Sequence, residues 1–309
     1  MYIENGMDVM KLYHKIDDLK QKRNAVIVAH YYQNDDVQEV ADVVGDSFAL
    51  AKYCASTDKD VIVFCGVHFM AESANILSPQ KTVLLPVIDA GCPMADTAAV
   101  EDLRLIKSHY PDAAVVSYVN TSAEIKAESD VCCTSSNAVK IVKALSEKEI
   151  IFVPDQNLGS YVEKQVPEKE FIKWQGCCMV HHRIQAEDVD KARENRPGVP
   201  VLVHPECRPE VVEKADFVGS TKQIIEYATK SEAQEFLIGT EKGILYELKK
   251  RNPNKKFYLL SQALICKNMK KTNLADVYYS LKYMKHEIRV EEDIRIKAKK
   301  ALDRMLELG

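Results

Sequence analysis

Three cysteines, Cys92, Cys178 and Cys266, stand in matching stretches of the chain, at residues 82–94, 171–179 and 257–269. In each stretch a short apolar strand runs into a loop that presents the thiol. The thiols lie 86 and 88 residues apart, and Ser47, Ser135 and Ser220 repeat at 88 and 85. Periodicity on this scale marks repeated structural units. Three thiolates from equivalent loops could hold a metal ion or an iron–sulfur cluster. A cluster takes four protein ligands as a rule, so three cysteines would leave one iron open to a substrate. Three buried cysteines in similar loops would give the same spacing, and zinc bound by Cys178 with His181 is a further option. Alignment of the copies selects Cys178 over its neighbour Cys177.

A second set of chemical groups follows the first strand of each copy. These are His30-Tyr31-Tyr32-Gln33, Tyr118-Val119-Asn120-Thr121 and His204-Pro205-Glu206. Ligands of doubly wound sheets sit beyond the carboxyl ends of the strands. If a threefold pseudo-symmetry points these ends at one axis, His30, Tyr32, Tyr118, Asn120, His204 and Glu206 surround one cavity. That set holds acids, bases and neutral hydrogen-bonding groups; taken singly, each also reads as a capped strand end or a buried histidine. Ser47, Ser135-Ser136 and Ser220-Thr221 stand just before helices, where a hydroxyl caps free N–H groups and the helix start favours a phosphate or carboxylate. No GxGxxG or Walker A sequence occurs, so nucleotide binding has no local support.

The elements that must position these groups repeat in the same order. Apolar periodicity predicts a helix over 8–23, a strand over 25–29, helices near 36–42 and 48–54, a strand over 61–64, a helix over 69–77 and a strand over 83–85. The second copy has a helix over 100–109, a strand over 114–119, residues 131–135 matching 43–47, a helix over 138–145 and a strand over 150–153. The third has a helix over 186–194, a strand over 199–203, helices over 223–229 and 242–250, and strands over 236–238 and 257–260. The expected fold is α/β: three similar three-layer αβα domains with small parallel sheets, arranged around a pseudo-threefold axis. The domains run 1–96, 97–184 and 185–272. A tail with helices over 274–284 and 291–308 is expected to pack back on the first.

Composition narrows the function. The chain has 309 residues, 42 Lys and Arg against 46 Asp and Glu, and a net charge of −4. That balance offers no electrostatic footprint for nucleic acid. No apolar run reaches the length of a bilayer span, and residues 1–6 lack the basic-then-apolar pattern of a secretory signal. A cytoplasmic protein is expected. Nine cysteines, an odd number, argue for buried thiols plus a metal or catalytic set rather than a disulfide framework.

The residues so far, read together with Gly45-Asp46-Ser47, Phe69-Met70-Ala71-Glu72, Cys92-Pro93-Met94-Ala95, Thr134-Ser135-Ser136-Asn137, Pro154-Asp155-Gln156-Asn157-Leu158-Gly159, Val180-His181, Gly219-Ser220-Thr221, Gly239-Thr240-Glu241 and Cys266-Lys267-Asn268-Met269-Lys270, resemble the quinolinate synthase family, iron–sulfur enzymes of de novo NAD biosynthesis. The likeness covers nearly the whole chain. Cys177, Met179 and Tyr31 stand where histidine, proline and asparagine are expected. The resemblance implies three Rossmann-like domains about a pseudo-threefold axis and a [4Fe-4S] cluster held by Cys92, Cys178 and Cys266. It implies a transferase that condenses iminoaspartate with dihydroxyacetone phosphate, losing phosphate and water, with the open iron as Lewis acid. Tyr32, Glu206, His204 and His30 are then candidates for proton transfer. Tyr118, Asn120 and His181 would contact substrate, and Ser47, Ser135, Ser220 and Thr221 would hold phosphate or carboxylates. A neighbouring enzyme that supplies the unstable iminoaspartate is a possible partner. The competing classes are a non-enzymatic cluster sensor and a zinc hydrolase built on Cys178 and His181.

Overall fold

Runs of β-branched residues give strands with no polar face, and such strands need helices on both sides. The run Ala25–His30 is buried along its whole length. The computed structural model describes residues 9–309; residues 1–6 and Asp8, read above as leaderless start and helix start, lie outside them. The first copy comprises α1 (Val9–Arg23), β1 (Ala25–His30), α2 (Asp35–Val40), β2 (Val43–Gly45), α3 (Ser47–Ser56), β3 (Val61–Cys65), α4 (His68–Leu77) and β4 (Thr82–Leu84). The second comprises α5 (Val100–His109), β5 (Ala114–Tyr118), α6 (Ala123–Ala127), β6 (Val131–Cys133), α7 (Ala138–Ala144), β7 (Glu149–Val153), α8 (Gln156–Gln165) and β8 (Glu170–Lys173). The third comprises α9 (Ala186–Asn195), β9 (Val201–Val203), α10 (Pro209–Glu213), β10 (Phe217–Val218), α11 (Thr221–Lys230), β11 (Glu235–Gly239), α12 (Ile244–Arg251) and β12 (Lys256–Leu259). Helices α13 (Leu274–Tyr283) and α14 (Glu292–Leu308) follow.

Each copy forms one four-stranded sheet, in the orders β2-β1-β3-β4, β6-β5-β7-β8 and β10-β9-β11-β12. Every pairing between these strands is parallel. This is the expected α/β fold of three similar αβα units. One side-chain device recurs in all three. An aspartate just before the second strand accepts an N–H from the first: Asp42 from Ile27 at 2.8 Å, Asp130 from Val115 at 2.7 Å and Asp216 from Val201 at 2.8 Å. Each aspartate returns its own N–H to the same residue's carbonyl, at 2.9, 3.0 and 2.9 Å. These clasps satisfy backbone groups just where the sheet starts.

Two compact units divide the described chain. One joins the residues up to Cys92 with Lys267–Glu292, and the other joins Pro93–Cys266 with Asp293–Gly309. In the first unit, Leu12 and Ile16 of α1 and Val277 and Leu281 of α13 share a core with Ile27, Val63 and Leu84 of the sheet. In the second, Leu103, Val115, Ile125, Ile151 and Val153 fill the space around one sheet, and Val201, Val203, Val211 and Leu237 around the other. The tail therefore does two things. Helix α13 packs on the first sheet, while α14 groups with the second unit, where Lys140 Nζ donates to the Gly309 carbonyl at 2.7 Å.

Several boundaries differ from the sequence expectation. The strand expected over 199–203 starts at Val201 because Pro200 has no N–H to give the ladder; its carbonyl instead accepts from Leu237 at 2.9 Å. Helix α8 was not anticipated. Its start is set by Asp155, whose carboxylate accepts from the Leu158 N–H at 2.7 Å. Among the described residues no helix is long and apolar enough to cross a membrane.

Candidate active site

The thiol loops follow the fourth strands, and a shared backbone bond places them. The N–H of His68 donates to the Ala90 carbonyl at 2.8 Å, that of Gln156 to Gly176 at 2.8 Å and that of Lys242 to Leu264 at 2.9 Å. In each copy the accepting carbonyl lies two residues before a cysteine: Cys92, Cys178 and Cys266. The structural repeat therefore makes Cys178, rather than Cys177, the equivalent of the other two. Gly176 is required by close approach, since a Cβ there would lie 2.5 Å from the Pro154 carbonyl oxygen and from Thr97 Oγ1.

Burial separates the nine thiols. Cys54, Cys65, Cys132, Cys133 and Cys207 are buried, whereas Cys92, Cys177, Cys178 and Cys266 are partly exposed. Burial pushes the Cys54 thiol up to about 12 and raises Cys65, Cys132, Cys133 and Cys207 as well. Those five are held as neutral thiols, unsuited to ligating metal. Burial, with Asp155 second, raises Cys177 too. Cys92, Cys178 and Cys266, which the repeat singles out, are thus among the four partly exposed thiols.

In the second unit, strand ends bring a histidine pair onto one carboxylate. His204 follows β9, and its Nδ1 accepts the N–H of Glu206 at 3.2 Å. The proton of a neutral His204 ring is then on Nε2, which lies 3.2 Å from Ser135 Oγ. His181, three residues after Cys178, has Nδ1 2.7 Å from Glu206 Oε2 and 3.2 Å from Cys178 Sγ. Its Nε2 lies 2.9 Å from Thr240 Oγ1. The two imidazoles stack at 4.6 Å between centroids. His181, His204 and Glu206 are all buried. Burial raises the Glu206 carboxyl, but His204 and His181 more than offset that and hold it well below the usual carboxylate range. Buried Asp155 moves the other way, raised by burial and by Glu206. Two carboxyls driven apart in this way favour an ionised Glu206 beside the two imidazoles, an arrangement able to move protons. The ligating atoms of Cys178, His181 and Glu206 lie within 4.8 Å of one another. Thiol, imidazole and carboxylate so close together could also bind a metal ion.

Tyr118, the last residue of β5, is buried and acts on Glu206 as a hydrogen-bonding partner. Asn120, just beyond it, has a buried Oδ1 with no protein hydrogen bond. Such an atom fits a polar ligand group, because buried acceptors are rarely left without a donor. In the first unit, His30 and Tyr32 form the counterpart of His204 and Glu206. The Tyr32 N–H donates to His30 Nδ1 at 3.1 Å, and the rings meet edge to face at 4.5 Å. Lys270 Nζ donates to the Tyr32 and Gln33 carbonyls, and Asn268 Nδ2 to the Gly91 carbonyl at 2.8 Å. The segment after Cys266 thus braces both the His30 loop and the Cys92 loop.

The serines behave less uniformly than expected. Ser220 caps α11, accepting from the Gln223 N–H at 3.3 Å, with Thr221 buried behind it. Asp46, and not Ser47, caps α3, accepting from Ala49 at 2.9 Å. Ser135 stands three residues before α7, whose cap position is Asn137. The aspartate is the better cap by charge, and Asn137 Oδ1 is already bound to the Thr134 N–H at 2.7 Å; the Ser47 and Ser135 hydroxyls therefore do no capping. Sequence reasoning also gave no role to Asp155, Asn157, Thr240 or Glu241. Their signal was present in Pro154-Asp155-Gln156-Asn157 and Gly239-Thr240-Glu241, polar runs that directly follow buried strands.

Fold and site define an α/β enzyme of three repeated parallel sheets, with thiols on the loops after the fourth strands and a buried histidine–carboxylate cluster beyond the first. A family model described as quinolinate synthetase A protein matches residues 14–307. The chain belongs to that family. It is 61% identical over 303 residues to a quinolinate synthase of Caldicellulosiruptor saccharolyticus, covering 98% of this chain and 100% of the relative. It is 57% identical over 302 residues to one of Alkaliphilus metalliredigens, covering 98% and 100%. Quinolinate synthase 1 of Methanosarcina acetivorans is 53% identical over 300 residues, covering 97% and 98%.

Proposed function

We propose that the protein is a quinolinate synthase, a transferase that condenses iminoaspartate with dihydroxyacetone phosphate to quinolinate with loss of phosphate and water. Family membership over the full length carries this reading, and the buried His181–Glu206–His204 cluster supports it chemically. Cys92, Cys178 and Cys266 would hold a [4Fe-4S] cluster, with the three domains (1–96, 97–184 and 185–272) set about a pseudo-threefold axis. When bound, the cluster supplies Lewis acidity at the iron that has no cysteine ligand. The partial exposure of these thiols supports the assignment.

The rest of the work falls to the protein's own side chains. His204 and Glu206, with His181 behind them, take up and return protons during tautomerisation and the dehydrations. His30 and Tyr32 form a second such pair. Tyr118 and Asn120 orient the condensing carbon skeleton, and the Asn120 Oδ1 accepts from it. Ser47, Ser135, Ser220 and Thr221 hold phosphate or carboxylate oxygens; the Ser47 and Ser135 hydroxyls, with no cap to make, are suited to donate. Because iminoaspartate is an unstable imine, an enzyme that makes it is expected close by in the cell, which we place in the cytoplasm.

The test is iron, sulfide and zinc per chain on protein purified without oxygen, alongside quinolinate formation from the two substrates. Four irons and four sulfides, lost in Cys92→Ala, with quinolinate formed by the parent only, are expected. Zinc without sulfide would overturn the cluster and favour a mononuclear site on Cys178, His181 and Glu206.

A further inference from the structure

The three thiol loops share a backbone bond, but two of them carry an addition. Two residues past the end of β3, β7 and β11 stand Val67, Asp155 and Glu241. Asp155 and Glu241 are both 0% exposed. Asp155 Oδ1 accepts from the Leu158 N–H at 2.7 Å, and its Oδ2 accepts from the Cys178 N–H at 2.9 Å. Glu241 repeats the pattern: Oε2 accepts from the Gly243 N–H at 2.6 Å and Oε1 from the Cys266 N–H at 3.1 Å. Each carboxylate thus ties the start of a helix or turn to the amide of a cysteine. A helix start needs one acceptor, and a serine or asparagine would serve. Burying a carboxylate is costly unless both its oxygens are bonded. The second oxygen is spent each time on the same kind of group, a cysteine N–H. In the first copy the equivalent residue is Val67, buried, whose side chain has no acceptor.

We propose that Asp155 and Glu241 are positioning residues that fix the thiols of Cys178 and Cys266 for metal binding by holding their amides. This rests on the reading that these cysteines bind the cluster. The two clamps sit on different sheets and act separately, each on its own cysteine.

The test uses Asp155→Asn and Glu241→Gln, which keep shape but turn one N–H donor against an NH2 group. In holoenzyme prepared without oxygen, each variant should release iron to a chelator about tenfold faster than the parent, the scale seen when groups that orient metal ligands are altered. In the metal-free protein, alkylation followed by peptide mass spectrometry should show Cys178 reacting several-fold faster in Asp155→Asn, with Cys266 and Cys92 unchanged. Glu241→Gln should accelerate Cys266 alone. Uniform acceleration of all three thiols, or parental rates throughout, overturns the proposal. If one variant fails to fold, the other decides by the same criteria. A parent without iron and sulfide would sink the cluster reading, and the alkylation pattern would still decide whether the clamps exist.

Discussion

At the scale of single residues, Glu206 is the group on which the candidate site converges. Its Oε2 lies 2.7 Å from His181 Nδ1 and 3.3 Å from His204 Nδ1, and both rings are buried with it. Replacing it by glutamine keeps the volume but removes the charge that the imidazoles face. Glu206→Gln is expected to lower kcat by about 100-fold or more, the usual worth of a positioned proton-transfer group, with circular dichroism unchanged. The thiols give a second prediction at this scale. Native metal-free protein at pH 8 should be labelled by a thiol reagent at no more than four sites, Cys92, Cys177, Cys178 and Cys266. Cys54, whose thiol burial pushes up to about 12, stays protonated at that pH and unreactive, as do the four other buried cysteines. All nine should label after denaturation, and native labelling of Cys54 would contradict its burial.

The elements carry the reason that chemical groups recur at the same edge of each sheet. A parallel strand delivers its last residue to one edge of the sheet, and the order repeated in all three sheets puts the first strand between the second and the third. His30, Tyr118 and His204 stand at or just past those central first strands. The aspartate clasps hold the opposite edge. Asp130→Ala removes the acceptor of the Val115 N–H and is expected to cost about 1–3 kcal/mol, measured by urea unfolding. Gly176→Ala acts on the other edge. The added methyl cannot coexist with the Pro154 carbonyl and Thr97, so the Cys178 loop must move. Lower iron per chain, at little change in helix content, is the expected result.

For the molecule as a whole, the division of the tail matters. Helix α13 completes the first unit, and α14 serves the second with Ala298, Ala301, Leu302 and Met305 buried. A chain ending at residue 291 should therefore keep the α1–α13 packing but lose that apolar cover from the second unit. Burying a Leu or Met side chain contributes roughly 1.5–3 kcal/mol, so the truncated protein should unfold at lower temperature and precipitate more readily. An unchanged melting temperature would show that α14 is dispensable to the second unit.

Much of this was legible in the chain because it depends on local signals. Strand and helix positions follow from β-branching and periodicity over a few residues. The three copies follow from landmarks that recur every 85 to 88 residues. The equivalence of Cys92, Cys178 and Cys266 needed only their loops. What the tertiary structure decided are the pairings with no periodic signature. His181 meets Thr240 across 59 residues of sequence and Asp155 meets Cys178 across 23. The placement of α14 is of the same kind, because an amphipathic helix specifies that one face is buried and not what buries it. Asp46 taking the cap from Ser47, and Asn137 standing where Ser135 was expected to act, show the same limit at short range. Several polar residues beside a helix start can each make the first bond, and the backbone angles of the finished turn select one.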